Sequence, residues 1–290
     1  MSVTLPAPDR MEDRTVVITG SSSGVGRAAA RELAGLGAQV VIVGRDPDRT
    51  RAIAEELGAP SHLADFTSLA SVRVLAGELL EAYPRIHVLA NNAGGLAEHR
   101  GTTPDGFETM FQQNHLSGFL LTHLLLPRLR ETAADSAPGT VRIIQTSSAA
   151  NLHPGIRMDD LDTRRGPWVR GYRAYGRSKL ANILFTRELA RRLPGSGIDA
   201  FAFHPGVVAT NFGGHSAVWQ ALTSRTGLAI SSEAGAQPLV RLAAAATVPA
   251  PSGNYFHRLK APGPVHRQAN DPGLAKALWS ASEVRAGLRG

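Results

Sequence analysis

The sequence predicts one α/β domain built on a doubly wound parallel sheet. Short β-branched runs alternate with turns of small residues and amphipathic stretches, which is the pattern of βαβ units. Most of these runs are apolar without polar residues at alternate positions, as expected for strands that helices cover on both faces. Nothing between them has the length or polarity of an interdomain linker, so we predict a single domain.

Six runs predict strands, because each is rich in β-branched or other apolar residues and is bounded by turn residues. The predicted strands are residues 15–19, 39–43, 61–63, 86–90, 141–146 and 198–203, and residues 253–256 predict a seventh. Apolar residues at helical spacing fill the gaps between them. The predicted helices are residues 24–36, 48–57, 69–83, 104–129, 172–193 and 233–246.

We assign residues 14–260 to this domain and treat residues 1–13 and 261–290 as terminal extensions. Ligands of doubly wound sheets bind beyond the carboxyl ends of the strands. Two irregular segments, residues 149–171 and 211–232, follow predicted strand ends on that side. We therefore expect them to form the walls of a substrate site.

Composition excludes several classes of protein. The chain has no cysteine, which excludes disulfides, thiol nucleophiles and cysteine-ligated metals. The net charge of +7 comes mainly from arginines scattered along the chain, and they form no stripe interleaved with aromatic residues. We predict no nucleic-acid partner. The ten histidines show no metal-binding spacing, so we predict no catalytic metal.

The chain shows no sequence signal for secretion or membrane insertion. The N-terminus lacks a basic start followed by an apolar run. The most apolar later stretch, residues 118–127, is too short to span a bilayer and contains a histidine and a proline. We expect a cytoplasmic protein without a transmembrane segment.

A glycine-rich turn, Thr19-Gly-Ser-Ser-Ser-Gly-Val-Gly26, links the first predicted main strand to a helix. Such a turn lets a pyrophosphate approach the free N–H groups and positive dipole of the helix start. The turn is typical of Rossmann-type dinucleotide sites, and no Gly-Lys-Ser/Thr ending indicates a nucleoside-triphosphate loop. The turn residues expected to contact the phosphates are Gly20, Ser22, Ser23, Gly24, Val25 and Gly26.

The same turn also matches the Gly-x-Ser-x-Gly nucleophile elbow, with Ser22 as the nucleophile of a serine hydrolase. An elbow needs an oxyanion donor from the loop of an earlier strand. Only residues 1–14 and one predicted strand precede the turn, which disfavours this alternative.

Three further motifs follow in fixed order: Asn91-Asn-Ala-Gly94, Ser147-Ser148 and Tyr175-Gly-Arg-Ser-Lys179. Together with the glycine turn they resemble the short-chain dehydrogenase/reductase family over about residues 14–260. Residues 114–122, 178–189 and 204–210 resemble its retinol-dehydrogenase-like branch. The 27 positions from Ser148 to Tyr175 exceed the usual gap, and an insertion there is a property of that branch.

Tyr175 and Lys179 lie four residues apart on a predicted helix and therefore on one face. A tyrosine with an ordinary pKa near ~10 is a poor base at neutral pH. A neighbouring ammonium lowers such a pKa by roughly 1–3 units, so the pair predicts a workable proton donor and acceptor.

The resemblance implies roles for the other motif residues. Ser148 would bind the substrate carbonyl oxygen, with Ser147 as the alternative serine. Lys179 would also hold the nicotinamide ribose, and Asn114 would anchor a water that links Lys179 to solvent. The remaining residues implied to line the cofactor are Asp65, Phe66, Asn91, Ala93, Gly94, Pro205, Gly206, Val208 and Thr210. Asp65 could also be a turn residue that caps the next helix.

The second strand is predicted to end at Gly44-Arg45, without an acidic residue for the ribose of NAD. Gly44 leaves space and Arg45 can pair with a 2′-phosphate, so the sequence favours NADP(H). Asp46 is an opposing feature.

The predicted function is therefore reversible NADP(H)-dependent hydride transfer between the nicotinamide and a small-molecule carbonyl or alcohol. Apolar residues of the two irregular segments either form an apolar substrate mouth or pack the segments on the sheet; they are Trp168, Phe212, Val218, Trp219, Leu222 and Leu228. A non-catalytic NADP-binding sensor or interaction protein is the alternative from another class. The resemblance is compatible with a homo-oligomer without fixing the oligomeric state.

Overall fold

The computed structural model describes residues 2–208 and 229–289 of the chain. Its strands are β1 (Val3–Thr4), β2 (Thr15–Thr19), β3 (Gln39–Gly44), β4 (Ser61–Leu63), β5 (Val88–Asn91), β6 (Val141–Thr146), β7 (Ile198–His204), β8 (Tyr255–His257) and β9 (Lys260–Ala261). They form one sheet in the order β1-β9-β8-β7-β6-β5-β2-β3-β4. The strands from β4 to β8 pair in parallel, which confirms the doubly wound parallel sheet.

Helices fill the connections between the parallel strands. They are α1 (Gly24–Gly35), α2 (Pro47–Leu57), α3 (Leu69–Ala82), α4 (Thr109–Phe111), α5 (Ser117–Ala134), α6 (Tyr172–Arg192), α7 (Ser232–Ala244) and α8 (Pro272–Arg285). A π-helical turn, Gln112–Leu116, joins α4 to α5. In the described residues, no helix is both long and apolar enough to cross a membrane.

The inner strands are apolar on both faces because helices cover both faces. In β2, Val17 packs in the cluster formed with α3, α5, α6 and α8, whereas Val16 and Ile18 pack in the cluster formed with α1 and α7. Successive strand residues point to opposite faces, so continuous apolar runs replace the alternating pattern. The strands therefore lack alternating polar residues for the predicted reason, which is that helices cover both faces of the sheet.

The predicted start of the long helix at residues 104–129 is wrong. Residues 101–108 form a turn closed by a bridge between Thr102 and Glu108, and Gly106 has φ +85°. That left-handed backbone cannot continue a right-handed helix. The helix begins only at Thr109, where the Glu108 carboxylate accepts hydrogen bonds of 2.8 Å from the N–H groups of Met110 and Phe111.

Both terminal segments take part in the same fold. Residues 3–4 pair antiparallel with β9 at the edge of the sheet. At the other end of the chain, α8 packs on α6, and the Trp279 ring lies 5.0 Å from Phe119 and 5.7 Å from Phe185, centroid to centroid. The segments before residue 14 and after residue 260, which the sequence suggests as extensions, thus contribute to the sheet and to the core.

Candidate active site

The site lies where the strand order reverses, at the carboxyl ends of β2 and β5. The chain runs outward from β2 to β4 and then returns to β5 on the other side of β2. Ligands of open α/β sheets bind at this switch point. Asn92 spans it, because its Nδ2 donates to the Thr19 carbonyl oxygen at 3.0 Å and its Oδ1 accepts from the Thr146 hydroxyl at 3.2 Å. The ends of β2, β5 and β6 are therefore fixed to one another.

The glycine turn needs glycine at two positions. Gly20 has φ +68°, and a Cβ there would lie 2.9 Å from the Cα of Ala93. A Cβ on Gly26 would lie 2.4 Å from the Gly20 carbonyl oxygen and 2.6 Å from Asn92 Nδ2. Glycine therefore permits the close contact between the turn, the start of α1 and the segment after β5. The N-cap residue of α1, Ser23, forms no side-chain hydrogen bond to the N–H groups at the start of the helix.

Gly26→Ala should weaken NADPH binding by roughly tenfold or more, because the new methyl group must displace the turn. Gly35→Ala is the matched control in the same helix, since a Cβ there meets nothing within 4 Å. Titration of protein fluorescence with NADPH would measure both affinities. A Gly26→Ala variant with unchanged affinity would show that the turn does not hold the cofactor.

The end of β3 carries Gly44 and Arg45, the residues from which the sequence predicts NADP(H). A Cβ on Gly44 would lie 2.1 Å from Thr50 Oγ1 and 3.0 Å from the Ser22 side chain, so glycine keeps this corner compact. Arg45 is exposed and forms no ion pair with any described residue. Asp46 is occupied, because its carboxylate accepts from the N–H of Arg49 at 2.9 Å and pairs with the Arg49 guanidinium at 3.0 Å. Asp46 is therefore the N-cap of α2, and Arg45 is available for an anion.

The next strand end carries Asp65 and Phe66. Asp65 Oδ1 accepts from the N–H and the hydroxyl of Thr67 at 2.9 and 2.8 Å, so the carboxylate closes a local turn. Ser68, and not Asp65, caps α3. Phe66 is buried, and its carbonyl accepts from the Ser117 hydroxyl at 2.7 Å. This turn is thus tied to the start of α5.

The structure brings Ser148, Tyr175 and Lys179 together. Tyr175 and Lys179 are buried on α6, with the Lys179 ammonium 5.5 Å from the centroid of the Tyr175 ring. The Tyr175 hydroxyl is hydrogen-bonded to the Ser148 side chain. Lys179 Nζ donates to the Thr146 carbonyl oxygen at 3.0 Å. A phenol, a hydroxyl and an ammonium group therefore meet at the ends of β6 and α6.

Burial sets the protonation of this group. Burial raises the pKa of Tyr175 above its usual value, and the Ser148 hydrogen bond opposes that shift. Burial also lowers the pKa of Lys179 to about 7. The lowered pKa predicted for Tyr175 is wrong, because desolvation raises the pKa by more than the Ser148 hydrogen bond lowers it. Tyr175 is therefore a protonated phenol, the form that donates a proton.

The two adjacent serines have different environments. The Ser147 hydroxyl is buried and donates to the Lys179 carbonyl oxygen at 2.7 Å, so it is a support for α6. Ser148 instead presents its hydroxyl to Tyr175 and accepts from the N–H of Ala150 at 3.2 Å. This geometry favours Ser148 as the serine that contacts a substrate oxygen.

Asn114 lies in the π-helical turn and holds the segment after β5. Its Oδ1 accepts from the Gly95 N–H at 2.7 Å, and its Nδ2 donates to the Gly95 carbonyl at 3.0 Å. The same Nδ2 donates to the Ser178 hydroxyl at 3.0 Å. A Cβ on Gly94 would lie 2.7 Å from Asn114 Oδ1 and 3.3 Å from Lys179 Nζ, so Gly94 passes directly over both groups.

Of the other residues predicted to line the cofactor, Ala93 contacts the glycine turn and Val208 lies near Val25 of α1. Ala93 donates its N–H to the Thr19 hydroxyl at 3.0 Å. Gly206 has φ +106°, and a Cβ on Gly235 would approach both Val208 and Val25. Val25 and Val208 therefore share one contact on α7. Pro205 is half-buried beside them. Thr210 lies outside the described residues, as do Phe212, Val218, Trp219, Leu222 and Leu228.

Asn91, at the end of β5, carries a buried acceptor that no described residue satisfies. Its Nδ2 donates to the Thr122 hydroxyl at 2.8 Å, whereas its buried Oδ1 has no hydrogen-bond partner within the described chain. A buried acceptor without a partner is costly and is usually satisfied by a ligand or by water. This acceptor lies against the start of α5, where a Cβ on Gly118 would be 3.5 Å from Oδ1. A water or a polar group of a ligand would satisfy it.

Two residues of the site are missing from the sequence prediction. Asn92 joins β2, β5 and β6 as described above, and the repeated asparagine of the Asn91 motif was its signal. Asn182 donates to the carbonyl oxygens of Asn114 and Thr146 at 2.9 and 3.1 Å. Its only signal was its place on the same helical face as Tyr175 and Lys179.

Comparison with known proteins decides the family. The sequence profile of the short chain dehydrogenases matches residues 14–160. The chain is also 42% identical over 297 residues to a protein described as a candidate daunorubicin C-13 ketoreductase, DnrU, from Streptomyces sp. (strain C5), covering 98% of this chain and 99% of that protein. The chain belongs to the short-chain dehydrogenase/reductase family.

Within this family the chain is retinol-dehydrogenase-like. Human retinol dehydrogenase 13 is 38% identical over an alignment of 301 positions, and the alignment covers 98% of this chain and 87% of that protein. A solved structure of an uncharacterized protein from Mycobacterium paratuberculosis superposes with a TM-score of 0.77 at 34% identity, covering 99% of this chain and 98% of that one. Another, the RhlG/NADP active-site complex of Pseudomonas aeruginosa, has a TM-score of 0.68 at 29% identity, covering 87% of this chain and 97% of that one.

Membership of the short-chain dehydrogenase/reductase family makes the protein an oxidoreductase that acts on alcohol or carbonyl groups. The serine hydrolase alternative has no support in the geometry, because the hydrogen bonds of residues 2–208 and 229–289 include none between Ser22 and a histidine. No cluster of three or more potential metal ligands occurs in that part of the chain.

Proposed function

We propose that the protein is an NADP(H)-dependent reductase of apolar carbonyl compounds that also catalyses the reverse oxidation. The observation that carries this proposal is the group formed by Ser148, Tyr175 and Lys179. A protonated phenol lies close to a hydroxyl and an ammonium group. The ammonium lies near Gly94, and the adjacent Ala93 contacts Gly20 of the glycine turn. This arrangement supports proton transfer to a substrate oxygen.

The chain's own residues divide the work of such a reaction. Ser148 and Tyr175 would donate hydrogen bonds to the substrate carbonyl oxygen, which polarises the carbonyl group. Tyr175 would then give its proton to that oxygen, and the Lys179 ammonium would stabilise the phenolate that remains. Bound NADPH supplies the hydride. The glycine turn, Asn91 and Lys179 would hold and orient the cofactor, and the nearly complete burial of Tyr175 keeps bulk water away from the proton.

Arg45 supports a preference for NADP(H), because it is exposed, has no described ion-pair partner and follows Gly44 directly. Arg45→Ala should lower kcat/KM for NADPH by about 10- to 100-fold, as expected for the loss of charge-assisted hydrogen bonds. The kcat/KM for NADH should not fall. Steady-state assays with both cofactors measure the ratio. Arg51→Ala is the control for loss of a nearby exposed charge, because Arg51 pairs with Asp48 and leaves Asp46 capped by Arg49. An equal loss with NADH would contradict a contact with the 2′-phosphate.

Exposed apolar side chains near Tyr175 support an apolar substrate. Val169, Tyr172 and Val207 are 56, 44 and 39% exposed. Val169 and Tyr172 lie six and three residues before Tyr175 in the chain, and Val207 lies three residues after the end of β7. Trp168 is half-buried nearby, held by an Nε1 hydrogen bond to the Glu98 carbonyl at 2.7 Å. The names of the two relatives, a ketoreductase and a retinol dehydrogenase, agree with this substrate class.

NADPH absorbance followed against ketones and aldehydes of increasing apolar size tests the proposed function. We expect oxidation of NADPH with the larger apolar carbonyls and little with small hydrophilic ones. Oxidation confined to small hydrophilic carbonyls would contradict the apolar site. NADPH binding without oxidation by any carbonyl would instead favour the sensor.

A further inference from the structure

A row of buried polar side chains connects the C-terminal helix to the candidate active site. Ser282 on α8, His115 in the π-helical turn and Asn182 on α6 are each at most 2% exposed. Ser282 Oγ lies 3.1 Å from His115 Nε2, and His115 Nδ1 lies 3.3 Å from Asn182 Oδ1. The proposed reaction does not use any of these three side chains directly.

The direction of each hydrogen bond follows from the last member of the row. Asn182 faces the carbonyl oxygens of Asn114 and Thr146, at 2.9 and 3.1 Å. Carbonyl oxygens only accept, so the amide nitrogen must face them and Oδ1 must face His115. His115 Nδ1 therefore carries the hydrogen, and Nε2 must accept from the Ser282 hydroxyl.

The surroundings of His115 keep it in this neutral form. The rings of Phe111, Phe119 and Phe185 lie 5.3, 6.3 and 6.1 Å from the imidazole, centroid to centroid. Burial lowers the pKa of His115 to about 4, and the nearby Arg285 acts in the same direction. The imidazole is thus a fixed hydrogen-bond relay between two helices at neutral pH.

The row ends on the carbonyl group that holds the lysine. The Thr146 oxygen accepts from Lys179 Nζ at 3.0 Å and from Asn182 Nδ2 at 3.1 Å. The second N–H group restrains the oxygen to which the ammonium is bonded. Asn182 likewise restrains the main chain of Asn114, whose side chain lies beside Gly94 and Lys179. The Thr146 carbonyl that accepts from Lys179 and the main chain of Asn114 therefore both depend on the Asn182 amide.

We propose that α8 positions Lys179 through the directed hydrogen-bond chain from Ser282 to His115, Asn182 and the Thr146 carbonyl. The C-terminal segment is then a working part of the site, and Ser282, His115 and Asn182 are positioning residues. The ion pair between Arg285 and Asp162, with N···O distances of 2.9 and 3.0 Å, holds α8 in place relative to the substrate-side segment. This inference rests on the proposed function only for its effect on turnover.

Ser282→Ala tests the chain at the end farthest from the chemistry. We expect kcat for carbonyl reduction to fall about fivefold, the effect of one lost hydrogen bond, while KM for NADPH stays within about twofold. Ser282→Thr keeps the hydroxyl and should restore most of kcat. Asn182→Ala removes both donors and should lower kcat further. A rise in KM for NADPH well beyond twofold together with the fall in kcat, or no rescue by threonine, would overturn the proposal.

Thr132→Ala is the matched control for loss of a buried hydroxyl. Thr132 is 1% exposed on α5 and forms hydrogen bonds of 2.8 and 3.1 Å to Arg128 and Ile86, remote from Lys179. It should lose comparable stability without losing kcat. Equal kcat losses in Thr132→Ala and Ser282→Ala would show that the hydrogen bonds from Ser282 to Asn182 contribute only to core packing and do not position Lys179.

Two spectroscopic readouts need no substrate and so separate this inference from the proposed function. Nitrogen NMR of His115 should show hydrogen on Nδ1 and none on Nε2, and the opposite tautomer would overturn the chain. The chain has only three lysines, Lys179, Lys260 and Lys276, so the ¹³Cε signal of Lys179 is readily assigned. Ser282→Ala should shift that signal and Thr132→Ala should not. An unmoved signal in Ser282→Ala would refute the positioning role even if no carbonyl were reduced.

Discussion

Tyr175→Phe should lower kcat for carbonyl reduction by about 10²- to 10⁴-fold, the usual contribution of a positioned general acid. Phenylalanine keeps the buried ring and removes only the hydroxyl that is hydrogen-bonded to Ser148. The affinity for NADPH should remain within about threefold, because the glycine turn and Lys179 are unchanged. Stopped-flow measurement of hydride transfer, with separate titration of NADPH, distinguishes the two effects.

Tyr83→Phe is the control for this substitution. Tyr83 is a buried tyrosine at the end of α3, away from the site, and its hydroxyl lies 3.3 Å from His62 Nε2. It should keep its full rate of hydride transfer. A Tyr175→Phe variant that retained more than about a tenth of the wild-type rate would exclude Tyr175 as the proton donor.

Lys179→Met should lower kcat by about 10²- to 10³-fold, because the phenolate left on Tyr175 would lose its counter-charge.

The pH dependence of the wild-type enzyme follows from the ionisation of Lys179. Burial lowers the pKa of Lys179 to about 7, so the ammonium is present below that pH and is lost above it. The kcat/KM for carbonyl reduction should therefore fall as the pH of the solution rises above about 7. Profiles of kcat/KM for both proteins test this, and an unchanged alkaline limb in Lys179→Met would assign it to another group.

The same substitution should stabilise the ligand-free protein. The pKa of Lys179 is about 7 when folded and has its usual value of 10.5 when unfolded, so at neutral pH unfolding returns a buried ammonium to water. Lys179→Met should raise the free energy of unfolding by on the order of 1–3 kcal/mol at pH 7, after loss of the Thr146 hydrogen bond. The gain should shrink between pH 7 and 10.5 and vanish above it. Chemical denaturation at several pH values measures it, and a destabilised variant at pH 7 would indicate a structural lysine.

The local sequence was sufficient to predict the parallel strands and the central residues of the site. The apolar runs from residue 15 to residue 203 identify the parallel strands, because a sheet covered on both faces imposes its composition on each strand. The spacing of Tyr175 and Lys179 fixes their shared helical face without tertiary information. The glycines at positions 20 and 26 follow from close backbone contacts that only a residue without Cβ permits.

The features that sequence reasoning missed depend on contacts between distant segments. Residues 3–4 form a strand only because β9 is beside them, and residues 272–285 enter the core only through α6. The π-helical turn at residues 112–116 has no hydrophobic period of its own, since it differs from an α-helix by a single residue per turn. The raised pKa of Tyr175 could not be predicted from the sequence either, because its cause is burial in the folded protein.

The most direct test of the account is the fate of deuterium from NADPH labelled at both C4 positions, incubated with the enzyme and a large apolar ketone. We predict that the alcohol product carries one deuterium on the former carbonyl carbon and that Tyr175→Phe forms almost none. Tight binding of the labelled NADPH without deuterium transfer to any ketone or aldehyde would contradict the central claim that Ser148, Tyr175 and Lys179 catalyse carbonyl reduction.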